Sequence, residues 1–459
     1  MKPWSSLLLL MALVAGSLAP VGRASAQEAG PIYIVQEGDT LSTIAIRFGT
    51  TVEALVQANG IADASIIAPG MQLLLPGFEG VSGILSVHQV AFGESLASLA
   101  GTYRTSGAAL AKLNRLVNPE RLYVGQPAIV PEPANGSPAA AGARTYSAGQ
   151  GLLEAAVEWG ANPWLLGNPG LRLWRVAGQR AYLPGGAGAA SDLPRGVSSV
   201  TVSPSPLVQG RATIIEVQAD PEVQVQGRLG ERALNFMSPE ASPGTWIALQ
   251  GIHALQPADL VELEIRIQIA GAEIAHRQPV PVVDGGYGRE SLQVPPQTLD
   301  PANTGPEDER IAEVVRTASA EKLWEGVFHF PSSYFETFPS RYGTRRSYNG
   351  SAYSYYHTGL DLYGNPETPV LAPAPGIVVF AEELTVRGNT TYIDHGWGVY
   401  SGFLHQSQIF VHPGDRVETG DTIGMVGATG RVTGAHLHWE IWVGGVPVDP
   451  MQWTEIVFP

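Results

Sequence analysis

His436-Leu437-His438-Trp439-Glu440-Ile441-Trp442-Val443 alternates polar and apolar residues without a break. A strand turns successive side chains to opposite faces, so His436 and His438 share one face, about 6.7 Å apart along the chain. Leu437, Trp439, Ile441 and Val443 form the other face and need a core to cover them. Two neighbouring imidazoles cannot be buried cheaply without partners, so solvent, an acid or a metal must meet them. Six of the ten histidines lie between His357 and His438, which confines the search for companions to that region.

Upstream, His357-Thr358-Gly359-Leu360-Asp361 places a histidine and an acid four residues apart. In a strand both face one way; a helix is opposed by Gly359 and by the Gly364-Asn365-Pro366 turn. By itself this spacing is a weak metal signal. Together with the histidine pair it fits the catalytic zinc pattern, in which three N or O ligands leave a fourth position for water. The chain has no cysteine, so any metal site must be built from His, Asp and Glu.

The rest of the composition sets bounds. At 459 residues the chain is too long for one core and predicts several domains. Hydrophobic residues make up 44% and charged residues 15%, which excludes a charge-rich disordered protein. A net charge of −15 argues against a nucleic-acid partner, which needs a basic surface. Residues 1–26 read as a signal peptide: Lys2, the apolar run Leu7 to Leu18, then Ala24-Ser25-Ala26 as cleavage site. No later segment is apolar enough to span a bilayer, so the expected location is exported: secreted, cell wall or periplasmic.

A repeat precedes the histidine-rich region. Gly38-Asp39-Thr40-Leu41 opens a helix with Leu41, Ile44, Ala45 and Phe48 on one face. Asp39 is a candidate cap, Gly49 a stop, and Thr50-Thr51-Val52-Glu53 starts a second helix to about Ala58. Apolar strands Tyr33 to Val35 and Gln72 to Leu75 complete a βααβ unit. The pattern recurs at a constant offset: Gly93-Glu94-Ser95-Leu96, then Leu99, Ala100, Tyr103, Asn114, Gly125 and Pro131. A degenerate third copy runs from Gly149 to Pro184, with Gln150 and Gly151 replacing the acid and hydroxyl.

Pro131 to Ala143 and Gly185 to Gly196 read as linkers. From 197 to 288 the period changes to two, most clearly in Val261, Leu263, Ile265, Ile267 and Ile269, which predicts a small β-sandwich serving as a spacer or interaction module. Glu307 to Glu325 reads as a short acidic helix entering the last domain.

The first repeat, through Tyr33-Ile34-Val35, Gly38 to Leu41, Phe48-Gly49-Thr50, Asn59 and Pro69-Gly70, resembles a LysM domain. That resemblance covers 32–76, more weakly 84–131, and marginally 144–184. It implies binding of N-acetylglucosamine glycans such as peptidoglycan, in a groove between Gly38, Asp39, Thr40 and Leu41 on one side and Ile67 to Pro69 on the other. The segment 307–459, core 324–453, resembles the M23 (LytM, lysostaphin-type) zinc metallopeptidases. The matching stretches are His357 to Asp361, Thr368 to Pro373, Ile393 to Gly396, Gly424 to Gly427, Thr429-Gly430 and Gly434 to Glu440. It implies Zn2+ held by His357, Asp361 and His438, with His405 and His436 as catalytic histidines, and a mainly antiparallel β domain. His395, His412 and His329 are expected outside the site; Tyr348, Tyr353 and Tyr356 are candidate oxyanion donors. The implied function is an exported endopeptidase cutting peptide stems or cross-bridges of bacterial peptidoglycan. The alternative is a non-enzymatic cell-wall-binding activator of amidases, a class that has usually lost a ligand or catalytic histidine; here all five positions are filled.

Overall fold

The computed structural model describes residues 30–119, 121–132, 143–145, 154–155, 180–182, 191–269, 272–333 and 338–459. The expected signal peptide lies outside them, as does most of the third repeat, of which the strand pair Ala143–Thr145 and Arg180–Tyr182 is described. The chain falls into two compact units, one running to Leu85 and the other carrying Ser86–Val130 and Gly136–Pro459.

In the first unit Ile32–Ile34 pairs antiparallel with Gln72–Leu74, and helices Leu41–Phe48 and Val52–Asn59 lie between them in sequence. Leu41, Ile44, Ala45 and Phe48 are buried, as their helical spacing requires. The caps correct the sequence reading: Thr40 caps the first helix in a capping box with Thr43, and Thr51 caps the second. Asp39 cannot cap because its carboxylate accepts from the Tyr33 hydroxyl (2.5 Å) and Gln36 N (2.8 Å) and pairs with Arg47 at 3.5 Å. Asn59 ties helix to strand, donating to Leu55 O and Leu74 O (both 2.9 Å) and accepting from Leu74 N at 2.7 Å.

The second unit begins with the same device. Asn114 donates to Leu110 O (2.9 Å) and Ile129 O (2.8 Å) and accepts from Ile129 N. Helices Leu96–Thr102 and Gly107–Leu113 are capped by Ser95 and Ser106. His88 and Glu94, 2.6 Å apart, stand where Tyr33 and Asp39 stand in the first copy.

The middle segment is two facing sheets. One holds Val197–Ser203, Ala212–Ala219 and Thr245–Gly251; the other is built mainly from Gln224–Leu229, Leu260–Ile269 and Ala272–Val283. Their inward residues, among them Ile215, Val217, Leu263, Ile265 and Val280, meet in one apolar cluster. It is more than a spacer. Ala212, Ile247 and Leu249 join the apolar core of the last domain, and the Gln452 side chain accepts from Ala212 N (2.8 Å) and donates to Ala212 O (3.0 Å).

The last domain is built on an antiparallel sheet ordered Leu360–Tyr363, His436–Val443, Val399–Gln406, Gly388–Gly396, Gly376–Leu384 and Arg416–Val417. Leu437, Trp439, Ile441 and Val443 are each 0% exposed, so the alternating strand presents its apolar face to the core. The acidic helix spans Pro301–Val314, earlier than predicted, because Asp300 caps it and Pro301 supplies its first residue.

Candidate metal centre

Antiparallel register brings the histidine strand against its partners: Asp361 lies opposite His438 on one side and Leu404, the neighbour of His405, opposite it on the other. His357 precedes the Leu360–Tyr363 strand and reaches the site from a loop. Gly359 is required there, since a Cβ would lie 2.4 Å from Trp439 O and 2.7 Å from His438 Nε2.

His357 Nε2, His438 Nδ1 and Asp361 Oδ1 converge, with separations of 2.9 to 3.0 Å. The other ring nitrogens fix the tautomers. A carbonyl or carboxylate oxygen only accepts, so His357 Nδ1–H donates to Arg341 O (3.0 Å) and His438 Nε2–H donates to Glu440 Oε1 (3.1 Å). The neutral cluster therefore aims three lone pairs at one point, in residues 1%, 7% and 6% exposed. Three converging acceptors repel unless a cation sits among them. The donor set, two imidazoles and one carboxylate, is one that a divalent transition metal accepts.

Without an ion, a proton serves the same purpose. Burial opposes a charged imidazole at His438, but the hydrogen bonds and charges of Asp361 and Glu440 outweigh it and push its pKa up to about 9. Near neutral pH, Nδ1 therefore carries a proton toward Asp361 Oδ1 that a metal ion would displace. Burial also opposes the Asp361 carboxylate, yet His357 and His438 hold it well below the usual range. His405 and His436 flank the cluster, their rings 5.2 Å apart, with His405 6.0 Å from His438. His405 Nδ1–H donates to Thr429 O (2.8 Å) and His436 Nδ1–H to Gly434 O (2.9 Å), so each has an unprotonated Nε2 when neutral. His436 Nε2 lies 3.6 Å from Asp361 Oδ1. Burial, then the neighbouring imidazoles His438 and His436, push His405 down to about 3. Its φ of 64° is a left-handed backbone for a non-glycine residue, the kind of strain that collects at functional sites.

The remaining candidates separate from this centre. His395 is 0% exposed, donating from Nδ1 to Pro375 O and accepting at Nε2 from Ser401 (both 2.7 Å). The His412 side chain is 86% exposed. Tyr356 is hydrogen-bonded to His253 at 3.2 Å, while Tyr353 is exposed beside Arg289. On the first repeat, Leu41 turns into the core, and Asp39 and Thr40 are engaged within the fold. The loop therefore offers mainly backbone at Gly38, with half-buried Ile67 and exposed Pro69 on the opposite side.

Two residues were missed. Glu440, 1% exposed, receives His438, the Thr358 and Tyr392 hydroxyls (both 2.6 Å) and Trp442 Nε1 (2.7 Å). Its signal was present: Glu440 continues the His436–His438 face. Arg346 carries no such signal. It is paired with Glu290, its register partner on the Arg289–Leu292 strand, donates to Ser340 Oγ (3.1 Å) and lies 3.9 Å from Asp361 Oδ2.

Among the described residues no helix is long and apolar enough to cross a membrane. Residues 355–450 match the family model for peptidase family M23, and residues 33–76 and 88–131 match that for the LysM domain. The chain is 42% identical over 96 residues to the peptidoglycan DD-endopeptidase ShyA of Vibrio cholerae, covering 21% of this chain and 22% of that one. It is 41% identical over 96 residues to the DD-carboxypeptidase/endopeptidase Mpg of Neisseria meningitidis, again 21% and 22%. The match thus spans about a fifth of each relative. A solved structure of a putative peptidase M23 from Pseudomonas aeruginosa superposes with a TM-score of 0.42 at 24% identity, covering 55% of this chain and 95% of that one. The converging histidines and aspartate, with the matches around them, identify 355–450 as a peptidase family M23 domain in a chain that also carries two LysM domains.

Proposed function

We propose that this chain is an exported zinc-dependent endopeptidase that hydrolyses peptide bonds in the stems or cross-bridges of peptidoglycan, held on the glycan by LysM binding. The observation that carries the reading is the meeting of His357, Asp361 and His438 with both flanking imidazoles in place. His357 Nε2, Asp361 Oδ1 and His438 Nδ1 would hold the zinc. When bound, the ion supplies Lewis acidity to the scissile carbonyl and lowers the pKa of water.

The protein groups handle the protons. With Nδ1–H held by Thr429, neutral His405 can only accept at Nε2. It takes a proton from the attacking water as the new C–O bond forms. The resulting imidazolium then faces the tetrahedral oxyanion and can return the proton to the leaving amine as the C–N bond breaks. His436, with the same tautomer, orients the water from the other side. Glu440 and the Arg341 carbonyl hold the outer N–H groups of the ligand imidazoles, which orients their other nitrogens toward the ion. Tethering through LysM raises the effective substrate concentration.

The test is digestion of purified peptidoglycan with and without a chelator, followed by mass spectrometry of new termini. New amines and carboxyls that vanish on chelation and with His405→Ala support the enzyme. Glycan retention without any peptide product points instead to a binding activator of amidases.

A further inference from the structure

The two described LysM copies treat the same loop differently. In the second copy the peptide unit of Gly93, the counterpart of Gly38, is closed on both sides. Its N–H donates to Gln278 Oε1 (2.7 Å), and its carbonyl accepts from Asp192 N (2.6 Å). Gln278 Nε2 donates in turn to Ala91 O and Glu94 O (both 3.3 Å). Gln278 belongs to the Ala272–Val283 strand of the sandwich and is 4% exposed.

The opposite side of the groove is taken as well. Val124, the counterpart of Pro69, is 7% exposed and donates its N–H to Pro279 O (2.9 Å). Phe92 lies edge-on to His276 at 5.1 Å, and Phe92, Val124 and Leu193 belong to the sandwich's apolar cluster. A Cβ on Gly93 would lie 2.5 Å from Leu193, whereas one on Gly38 would meet nothing within 4 Å.

We infer that the second LysM copy is an internal socket rather than a glycan site: adjoining residues Gln278 and Pro279 occupy its groove, leaving the first copy as the glycan anchor among the described repeats. A carboxamide offers the loop the same donor and acceptor as an N-acetyl group, so sugar and Gln278 compete for one set of backbone atoms. The side chain wins because it is tethered and its surroundings are already buried, while a sugar would have to displace the whole sandwich edge. With Gln452 bonded to Ala212 at the far side, the sandwich holds the second copy and the peptidase domain in one body.

This rests on the glycan-binding reading of the LysM domains, and one experiment separates the two. Hydrogen exchange is followed by mass spectrometry on the full chain, with and without an oligomer of N-acetylglucosamine. Residues 91–96 should be protected in the free protein and unchanged by the sugar, while residues 36–41 should gain protection. Gain of protection at 91–96 overturns the inference; no change in either loop overturns the glycan reading itself. As a second arm, Gln278→Ala should lower Tm by roughly 2–4 °C and speed exchange at Gly93 while leaving sugar affinity within about twofold of wild type. A tenfold loss of sugar affinity in that variant contradicts the socket, since it would make Gln278 part of the glycan site; a gain shows the freed loop taking the sugar that Gln278 had excluded.

Discussion

The Gly93 loop and the His357–Asp361–His438 cluster both bury polar atoms, with opposite outcomes. In the loop each polar atom meets a complementary one: Gly93 N–H finds Gln278 Oε1, and Gly93 O finds Asp192 N. In the cluster, three ligand atoms converge while the other ring N–H groups are turned away to Arg341 and Glu440. A satisfied buried polar group fixes architecture; converging ligand atoms that only a proton or a cation can reconcile mark a place kept for an ion. The Gly38 loop is a third case: Gly38 is exposed, and a Cβ there would meet nothing within 4 Å.

This contrast can be broken at several points. The largest effect is expected at the acceptor that handles protons: His405→Ala should lower kcat about 10²–10⁴-fold with metal content unchanged, measured by release of new peptide termini. If metal is lost as well, His405 holds the centre together and the division of roles fails. Next, Glu440→Gln should weaken metal affinity roughly 10–100-fold by loosening the His438 ring, read by competition with a chromophoric chelator. Unchanged affinity would mean the strand alone orients His438.

A satisfied buried histidine tests the other side of the contrast. Burial lowers His395 to about 4 from an ordinary 6.5, so the folded protein binds fewer protons than the unfolded chain between those values. Its favourable contribution is present above pH 6.5 and is lost as pH falls toward 4, up to about 3 kcal/mol. Denaturant unfolding at pH 7 and pH 4.5 should show the loss, and His395→Gln should flatten that slope. The smallest effect concerns capping in the first repeat: Thr40→Ala should cost about 1 kcal/mol, seen as a lower unfolding midpoint of that unit.

Much of this was legible in the sequence because the signals were periodic. Strict alternation placed Leu437 to Val443 on a buried face, the constant offset between copies fixed the repeats, and two-residue spacing put His436 and His438 on one side. What was not legible depended on register or on tertiary competition. Asp39 looked like a cap until Tyr33 and Arg47 claimed its carboxylate. Arg346 reaches Asp361 through a strand pairing with 289–292 that no local pattern announces. Glu264 alternates with the inward residues Leu263 and Ile265, yet it is 0% exposed because Arg228, Arg266 and Arg277 cover it. The plugging of the second copy depends on Gln278, nearly two hundred positions away in the chain.

The most direct test counts zinc on the intact chain by native mass spectrometry after chelation and re-addition of the ion. One ion per wild-type chain, and none in Asp361→Asn with the fold intact by circular dichroism, is the predicted result. A variant that keeps its ion, or a wild-type chain that takes none, would contradict the centre proposed here.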